Sequence, residues 1–104
     1  MKIQINTDNK IKGSIKLQDN LIPEITEELS RYSEQITRVE IHLSDEKGSK
    51  GGVKDKKCVI EVRLAGRQPV AVTNKADTVE LAVSGAMKKL KNSLNKIFGK
   101  LKNY

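Results

Sequence analysis

Apolar and polar residues alternate in four stretches of the 104-residue chain. This period of two is typical of strands that bury one face, and it predicts strands over residues 2–6, 37–44, 58–64 and 69–74. Pro69 is tolerated in the fourth strand because it stands at the strand's start. The only cysteine, Cys58, occupies an inward position of the third strand, so we expect it to be a small buried hydrophobe.

Two further stretches carry apolar residues at helical spacing. The first covers residues 15–33, with Ser14 as candidate N-cap and a kink expected at Pro23. The second begins after Asp77 and continues to Gly99, where we expect it to fray. Asp77 and Glu80 have the spacing of a capping box, which makes Asp77 the expected N-cap.

The predicted order β-α-β-β-β-α indicates an α+β fold. Each strand has a single apolar face, so both helices must pack on the same face of a four-stranded mixed sheet, and residues 1–104 form one domain. We expect a mobile basic loop at about residues 45–57. The expected shared core consists of Ile5, Ile25, Leu29, Val39, Ile41, Ile60, Val62, Val72, Val83, Leu90 and Leu94.

Charge is distributed unevenly along the chain. The net charge is +7, yet residues 14–36 hold two basic and five acidic residues, whereas residues 88–104 hold six lysines and no acid. A basic surface favours a polyanionic partner such as nucleic acid or an anionic membrane. No apolar run reaches the roughly 18 residues of a membrane span and the first residues lack a signal sequence, so we expect a cytoplasmic protein without a membrane partner.

The candidate RNA contacts are basic side chains of the last helix and of two connections. On the last helix Lys89, Lys96 and Lys100 fall on one flank of the apolar stripe, Lys91 falls on the other flank, and Lys88 points straight outward. The side-chain stems of such lysines can cover the edge of the core while their ammonium groups reach phosphates. Arg67 lies in a predicted turn without an obvious partner. An ordinary solvated face is the alternative for each group. The set is Lys88, Lys89, Lys91, Lys96, Lys100, Arg67, Lys54, Lys56 and Lys57.

Other polar residues give little sign of chemistry. We expect Arg38 and Arg63 to pair across strands with Glu40 or Glu61. His42 is the only histidine and faces outward, with no ligand spacing evident around it. We therefore predict no catalytic residue, no metal site and no cofactor.

Three segments carry a family resemblance: NTDNKIKGS (residues 6–14), RYSEQITRVEIHLSDEKGSKGG (31–52) and KKCVIEVRLAGRQPVAVTNKADTVELAVSGAMKKLKNSL (56–94). Together they cover about two thirds of the chain, and it resembles the ribosome hibernation-promoting factor and ribosome-associated translation inhibitor family in its short, single-domain form. The resemblance implies a fold similar to double-stranded RNA-binding domains. It also implies docking on the small ribosomal subunit, between head and body, where mRNA and tRNA bind. The acidic first helix and Asn92, where relatives often have arginine, depart from the family pattern.

The sequence thus predicts a translation repressor that occludes the ribosome and is a monomer when free. A general double-stranded RNA-binding module is the first alternative. It is disfavoured because Asp77 and Glu80 make the start of the last helix acidic, where such modules approach phosphates. A small enzyme of unknown substrate is the second alternative, although no acid–base pair or nucleophile stands out.

Overall fold

The computed structural model describes residues 1–8, 11, 14–46 and 55–99. A 3₁₀ turn, Ser30–Tyr32, follows the first helix, and a π-helical turn, Asn95–Gly99, follows the second. This order confirms the predicted β-α-β-β-β-α arrangement. The strands and helices are β1 (Lys2–Thr7), α1 (Ser14–Glu28), β2 (Ile36–Asp45), β3 (Lys56–Leu64), β4 (Val70–Ala76) and α2 (Val79–Leu94).

The four strands form one mixed sheet in the order β1-β2-β3-β4. β1 is parallel to β2, and the other neighbours are antiparallel. Their register aligns Ile5, Ile41, Ile60 and Val72 in one row across the sheet. This row of aliphatic side chains is the surface on which the helices pack.

Buried residues of both helices and of the inward sheet positions belong to one hydrophobic cluster. Both helices therefore cover the same face, as predicted, and the outward residues of the strands form a polar face on the other side of the sheet. Of the eleven residues expected in the core, only Val72 is partly exposed. It lies on the edge strand β4, which has a neighbour on one side only.

The strands β2 and β3 are longer than predicted. Lys56 and Lys57 were expected in the loop, but they pair with Asp45 and Ser44 in the antiparallel ladder. The backbone hydrogen bonds of a hairpin do not require apolar side chains, so a polar sequence concealed the last ladder positions. Residues 47–54 of the predicted mobile loop lie outside the described residues.

The helix α1 is shorter than the stripe of apolar residues suggested. It begins at Ser14 itself and continues through Pro23, so the proline does not end it. It ends at Glu28. The last apolar residue of the stripe, Tyr32, lies in the following 3₁₀ turn, and its side chain is buried in the core. The amide of Tyr32 donates to the carbonyl oxygen of Leu29 at 2.9 Å, which tightens the chain after the helix.

The N-cap of α2 is Thr78 and not Asp77, so the predicted N-cap is wrong by one residue, and the position three residues after the true cap is Leu81, which cannot complete a capping box. Thr78 has an extended backbone, and its Oγ1 accepts a hydrogen bond from the amide of Leu81 at 3.1 Å. Threonine and aspartate both cap helices well, and sequence alone does not choose between two neighbouring candidates.

A glycine lets α2 approach the sheet closely. A Cβ at Gly85 would lie 2.1 Å from Nδ2 of Asn74 on β4. That amide nitrogen donates to the carbonyl oxygens of Ala82 at 3.2 Å and Leu81 at 3.4 Å. The contact fixes how α2 lies on the edge of the sheet, and hence where the lysines of its second half project.

Candidate nucleic-acid interface

The lysines of α2 project from its exposed side and from both flanks. Lys88 and Lys89 on α2 are exposed, and so is Lys96 in the π-helical turn that follows α2. Lys89 reaches toward β4, where its Nζ donates to the carbonyl oxygen of Thr73 at 2.7 Å. Lys91 reaches in the other direction, toward α1, which confirms that the two lysines occupy opposite flanks.

We expected Lys91 to be an unpaired cation, but it forms an ion pair. Its Nζ lies 2.9 Å from Oε1 of Glu28, the last residue of α1. The sequence between residues 88 and 104 contains no acid, but α1 supplies one through tertiary packing. Lys91 is therefore the α2 lysine least available to a phosphate among those described.

Arg67 is exposed, as predicted, but it does have a partner. Gly66 adopts a positive φ of 69° in the turn between β3 and β4, and Arg67 follows it. The guanidinium carbon lies 5.1 Å from the centre of the Phe98 ring. A guanidinium stacked on a ring keeps its N–H donors at its edge, so this contact orients Arg67 without neutralising it.

Arg31 repeats this arrangement and was missed by the sequence analysis. Its guanidinium carbon lies 5.2 Å from the centre of the buried Tyr32 ring. Tyr32 and Phe98 contact each other at a centroid distance of 6.2 Å, and the Tyr32 hydroxyl donates to Oδ1 of Asn95. The only signal in the sequence was an arginine beside an aromatic residue, within a segment whose other charges are mostly acidic.

Arg31 and Arg67 are brought together by the contact between the Tyr32 and Phe98 rings, and three exposed lysines lie on the second half of α2 and on the turn that contains Phe98; we call these five cations the basic end. Among the residues that the structure describes, no carboxylate forms an ion pair with any of its five cations. Cations near the C-terminal end of a helix also suit its dipole. The basic end consists of Arg31, Arg67, Lys88, Lys89 and Lys96.

Of the lysines predicted in the loop between β2 and β3, the two that the structure describes, Lys56 and Lys57, form ion pairs. Lys56 Nζ lies 2.9 Å from Oδ1 of Asp55 and 3.7 Å from Oδ2 of Asp45. Its hydrogen bond to Asp55 raises the pKa of Lys56 above its ordinary value. The lysine is therefore held as part of the sheet and not as a free arm.

Glu46 neutralises the neighbouring lysines. Its two carboxylate oxygens lie 3.1 Å from Lys75 Nζ and 3.6 Å from Lys57 Nζ. The hydrogen bond from Lys75 lowers the pKa of Glu46. We call this group the strand end; it consists of Asp45, Glu46, Asp55, Lys56, Lys57 and Lys75. The other two predicted contacts, Lys54 and Lys100, lie outside the described residues.

A groove between the two helices lies at the N-terminal end of α2, away from the basic end. It has a volume of about 390 Å³, and its walls combine apolar Leu17, Leu21 and Leu81 with the carboxylates of Glu24 and Glu80. An acidic groove repels phosphate. The helix layer therefore has a basic and an acidic end, which gives the molecule a preferred orientation toward a polyanion.

The predicted cross-strand ion pairs of the polar sheet face are wrong. The register places Arg38 opposite Arg63 and Glu40 opposite Glu61, so like charges face each other. Arg38 pairs instead along its own strand, with its Nε 2.6 Å from Oε2 of Glu40. This hydrogen bond lowers the pKa of Glu40. Only the register, which the sequence does not reveal directly, distinguishes the two arrangements.

His42 faces outward on this polar face, as predicted, but it is not isolated. Its Nε2 lies 3.6 Å from Oε1 of Glu40 and 3.5 Å from Oε1 of Glu61. The two carboxylates come from the same strand and the adjacent strand, which brings them together although they are far apart in sequence. Cys58, in contrast, is fully buried as predicted, and burial raises the pKa of its thiol to about 12.

A sequence model of the Sigma 54 modulation protein / S30EA ribosomal protein family matches residues 5–102. The chain belongs to this family. The family resemblance of the three sequence segments is thereby confirmed, and this S30EA family member is a ribosome-associated factor. Comparison with curated proteins finds no significant match.

Solved structures share the fold of this S30EA family member. A ribosomal subunit interface protein from Coxiella burnetii superposes with a TM-score of 0.69 at 22% identity, covering 95% of this chain and 99% of the other. The N-terminal domain of Protein Y from Thermus thermophilus gives 0.65 at 19% identity, covering 93% and 99%. No helix among the described residues has the length and apolarity needed to cross a membrane.

Proposed function

We propose that this S30EA family member docks on the small ribosomal subunit, in the channel between head and body where mRNA and tRNA bind, and represses translation by occluding it. The observation that carries the proposal is the basic end, where five cations lack a carboxylate partner among the described residues. The name of the structurally similar subunit interface protein from Coxiella burnetii is consistent with such a location.

The basic end would contact the phosphates of ribosomal RNA. Lysine ammonium groups act as point charges toward phosphate oxygens, whereas the edges of Arg31 and Arg67 can bind phosphate in a bidentate manner. Lys100 and Lys54 remain predicted contacts from the sequence. Binding of this kind releases counterions, so its affinity should fall steeply as salt increases.

Recognition would depend on the shape of the RNA and not on its bases. Sequence-specific RNA binding usually stacks unpaired bases on exposed aromatic rings. In the described part of the chain, the rings of Tyr32 and Phe98 are buried, and arginines cover them. The rigid single sheet with its two helices would act as a plug, as a monomer in the cytoplasm.

A general double-stranded RNA-binding module fits the charges less well. Such a module presents the start of its last helix to phosphates, but here that end carries Glu80 and borders the groove that also contains Glu24. The cations lie toward the other end of α2. A surface matched to double-stranded RNA at the helix start would need the opposite charge.

Occlusion can be tested by competition on purified ribosomal subunits. The protein is incubated with small subunits that are either empty or preloaded with mRNA and initiator tRNA, and bound protein is measured after sedimentation. We expect binding to empty small subunits, and loss of binding when the channel is filled. Large subunits are the control and should not retain the protein.

Equal binding to empty and to preloaded small subunits would contradict occlusion while leaving ribosome association intact. A variant with Arg67→Gln and Lys96→Gln tests whether the same surface is responsible. We expect this variant to sediment less with empty small subunits and to inhibit translation in vitro less than the unmodified protein. The matched charge control is Lys2→Gln with Lys16→Gln, which removes two exposed cations outside the basic end.

A further inference from the structure

Three side chains on the polar sheet face direct their ligand atoms toward one point. They are Glu40 and His42 on β2 and Glu61 on β3, and one ligand atom from each lies within 4.8 Å of the other two. The face is the one opposite the helices, so the cluster is separate from the basic end. We propose that these three residues form a binding site for a divalent transition-metal ion of the Zn²⁺ type.

The spacing of the donor atoms fits such an ion. Ligands about 2.0–2.2 Å from a tetrahedral zinc ion lie about 3.4 Å from one another. Nε2 of His42 lies 3.6 Å from Oε1 of Glu40 and 3.5 Å from Oε1 of Glu61. An ion could therefore occupy the space between the three atoms with only small side-chain movements.

A neighbouring arginine orients one of the three ligands in the way that metal sites require. Nε of Arg38 contacts Oε2 of Glu40 at 2.6 Å, which leaves Oε1 directed at His42. The side-chain amide of Asn6 lies 3.4 Å from Nδ1 of His42, so the other ring nitrogen, Nε2, faces the carboxylates. A metal-binding histidine donates the N–H of its other ring nitrogen to an acceptor, so zinc binding at Nε2 would require the Asn6 amide to turn its oxygen toward Nδ1.

The electrostatics of the cluster also favour a cation. Glu40 and Glu61 lie directly opposite each other in the antiparallel ladder, and like charges in that position repel. A divalent ion shared by both carboxylates would convert that repulsion into coordination. The His42 side chain is 43% exposed and that of Glu61 53% exposed, so water can complete the coordination shell.

The donor set selects the class of ion. One imidazole nitrogen with two carboxylate oxygens suits Zn²⁺ and similar transition metals. Mg²⁺ and Ca²⁺ prefer six or more oxygen ligands and use imidazole poorly. We therefore expect Zn²⁺ to bind and Mg²⁺ not to compete with it.

The test is a ZnCl₂ titration of the full chain, without an affinity tag, followed by NMR of the histidine ring. Because the chain contains a single histidine, its ring signals identify His42 without further assignment. We expect saturable binding of one Zn²⁺ per chain, a shift of the Nε2 signal, and an increase in melting temperature with Zn²⁺ but not with Mg²⁺.

Variants decide whether the ion binds at the proposed place. His42→Gln and Glu61→Gln should each weaken Zn²⁺ binding by roughly tenfold or more, since even changes outside the coordination shell cost about 10–100-fold. Glu27→Gln removes an exposed carboxylate from α1 and should leave the Zn²⁺ affinity unchanged. Equal Zn²⁺ affinity of the His42→Gln variant, or a histidine ring unaffected by millimolar Zn²⁺, would overturn the proposal.

Discussion

The basic end and the strand end are both rich in cations, but only at the basic end are the cations free of carboxylate partners, among the described residues, and so able to bind phosphate. At the strand end three lysines lie beside three carboxylates, and all three lysines form ion pairs. At the basic end two arginines stack on aromatic rings, and Lys89 contacts a backbone oxygen. The difference teaches that the number of basic residues in a segment says little about the charge that a partner meets.

The cause of the difference is the secondary structure that presents each group. An antiparallel hairpin places the acidic end of β2 beside the lysines that open β3, so the register itself creates ion pairs. A helix that packs on a sheet directs its exposed residues away from neighbouring elements. On α2 only Lys91 lies close enough to α1 to find an acid, Glu28.

The largest expected effect concerns Phe98, which supports Arg67 and is buried in the core. Phe98→Ala should lower the free energy of unfolding by about 3–5 kcal/mol, as is usual when a buried ring is removed. Phe98→Leu keeps most of the apolar volume and should cost less. Chemical denaturation followed by circular dichroism measures both.

Phe98→Leu also separates support of Arg67 from folding. The variant lacks the ring under the guanidinium, so we expect weaker binding to small subunits although the domain remains folded. Wild-type affinity of folded Phe98→Leu would show that stacking on this ring does not prepare Arg67 for RNA. The ion pairs of the strand end should be unaffected, because they are formed by other, charged side chains.

A smaller effect should follow from releasing lysines at each end. Glu28→Gln frees Lys91 beside the basic end, whereas Glu46→Gln frees Lys57 and Lys75 at the strand end. Each variant loses one negative charge, so its net charge rises by one. We expect Glu28→Gln to steepen the dependence of log affinity on log salt by up to about one unit, and Glu46→Gln to leave it unchanged. A steeper slope for Glu46→Gln alone would reverse the assignment of the two ends.

The smallest effect is the pH dependence of the strand end. The pKa of Glu46 is lowered in the folded protein, chiefly by the hydrogen bond from Lys75. A lowered carboxyl pKa contributes stability above the ordinary value of 4.5, and that stability is lost as pH falls through the folded pKa.

Thermal unfolding between neutral pH and pH 3 should therefore show a decline that is shallower in Lys75→Gln. Lys16→Gln, which removes an exposed lysine of α1, is the control and should keep the original decline. Identical profiles for Lys75→Gln and the unmodified protein would mean that the ion pair with Glu46 does not stabilise the fold.

The fold was predictable because its strong signals are local. Period-two alternation placed all four strands, and one apolar face on each strand required both helices to share a side. The errors fell at boundaries, where neighbouring residues are equally suitable. Thr78 and Asp77 are both good caps, and the polar residues that lengthen β2 and β3 are held by backbone hydrogen bonds that leave no trace in side-chain pattern.

The candidate site was less predictable because it depends on contacts between distant residues. The flanks of α2 followed from helical geometry, and Lys89 and Lys91 do project in opposite directions. The pairing of Lys91, the stacking of Arg67 and the grouping of His42 with two glutamates all required the tertiary structure. Arg31 was missed because its ring partner, Tyr32, belongs to a turn that sequence pattern treated as the end of a helix.

The most direct test of the central claim compares two triple variants that remove equal charge. One removes cations from the basic end and the other removes cations from the strand end, and each lowers the net charge from +7 to about +4. The first is Lys88→Gln, Lys89→Gln and Lys96→Gln; the second is Lys56→Gln, Lys57→Gln and Lys75→Gln. Affinity for purified small subunits is measured for both over a range of salt concentrations.

If the basic end meets RNA phosphates, its triple variant should flatten the salt dependence by about two to three units. The strand-end variant should keep the slope of the unmodified protein, although it should unfold more readily because three carboxylates lose their partners. Equal flattening by both variants would show that the ribosome senses net charge alone. An unaltered slope for the basic-end variant would contradict the claim that this surface contacts RNA.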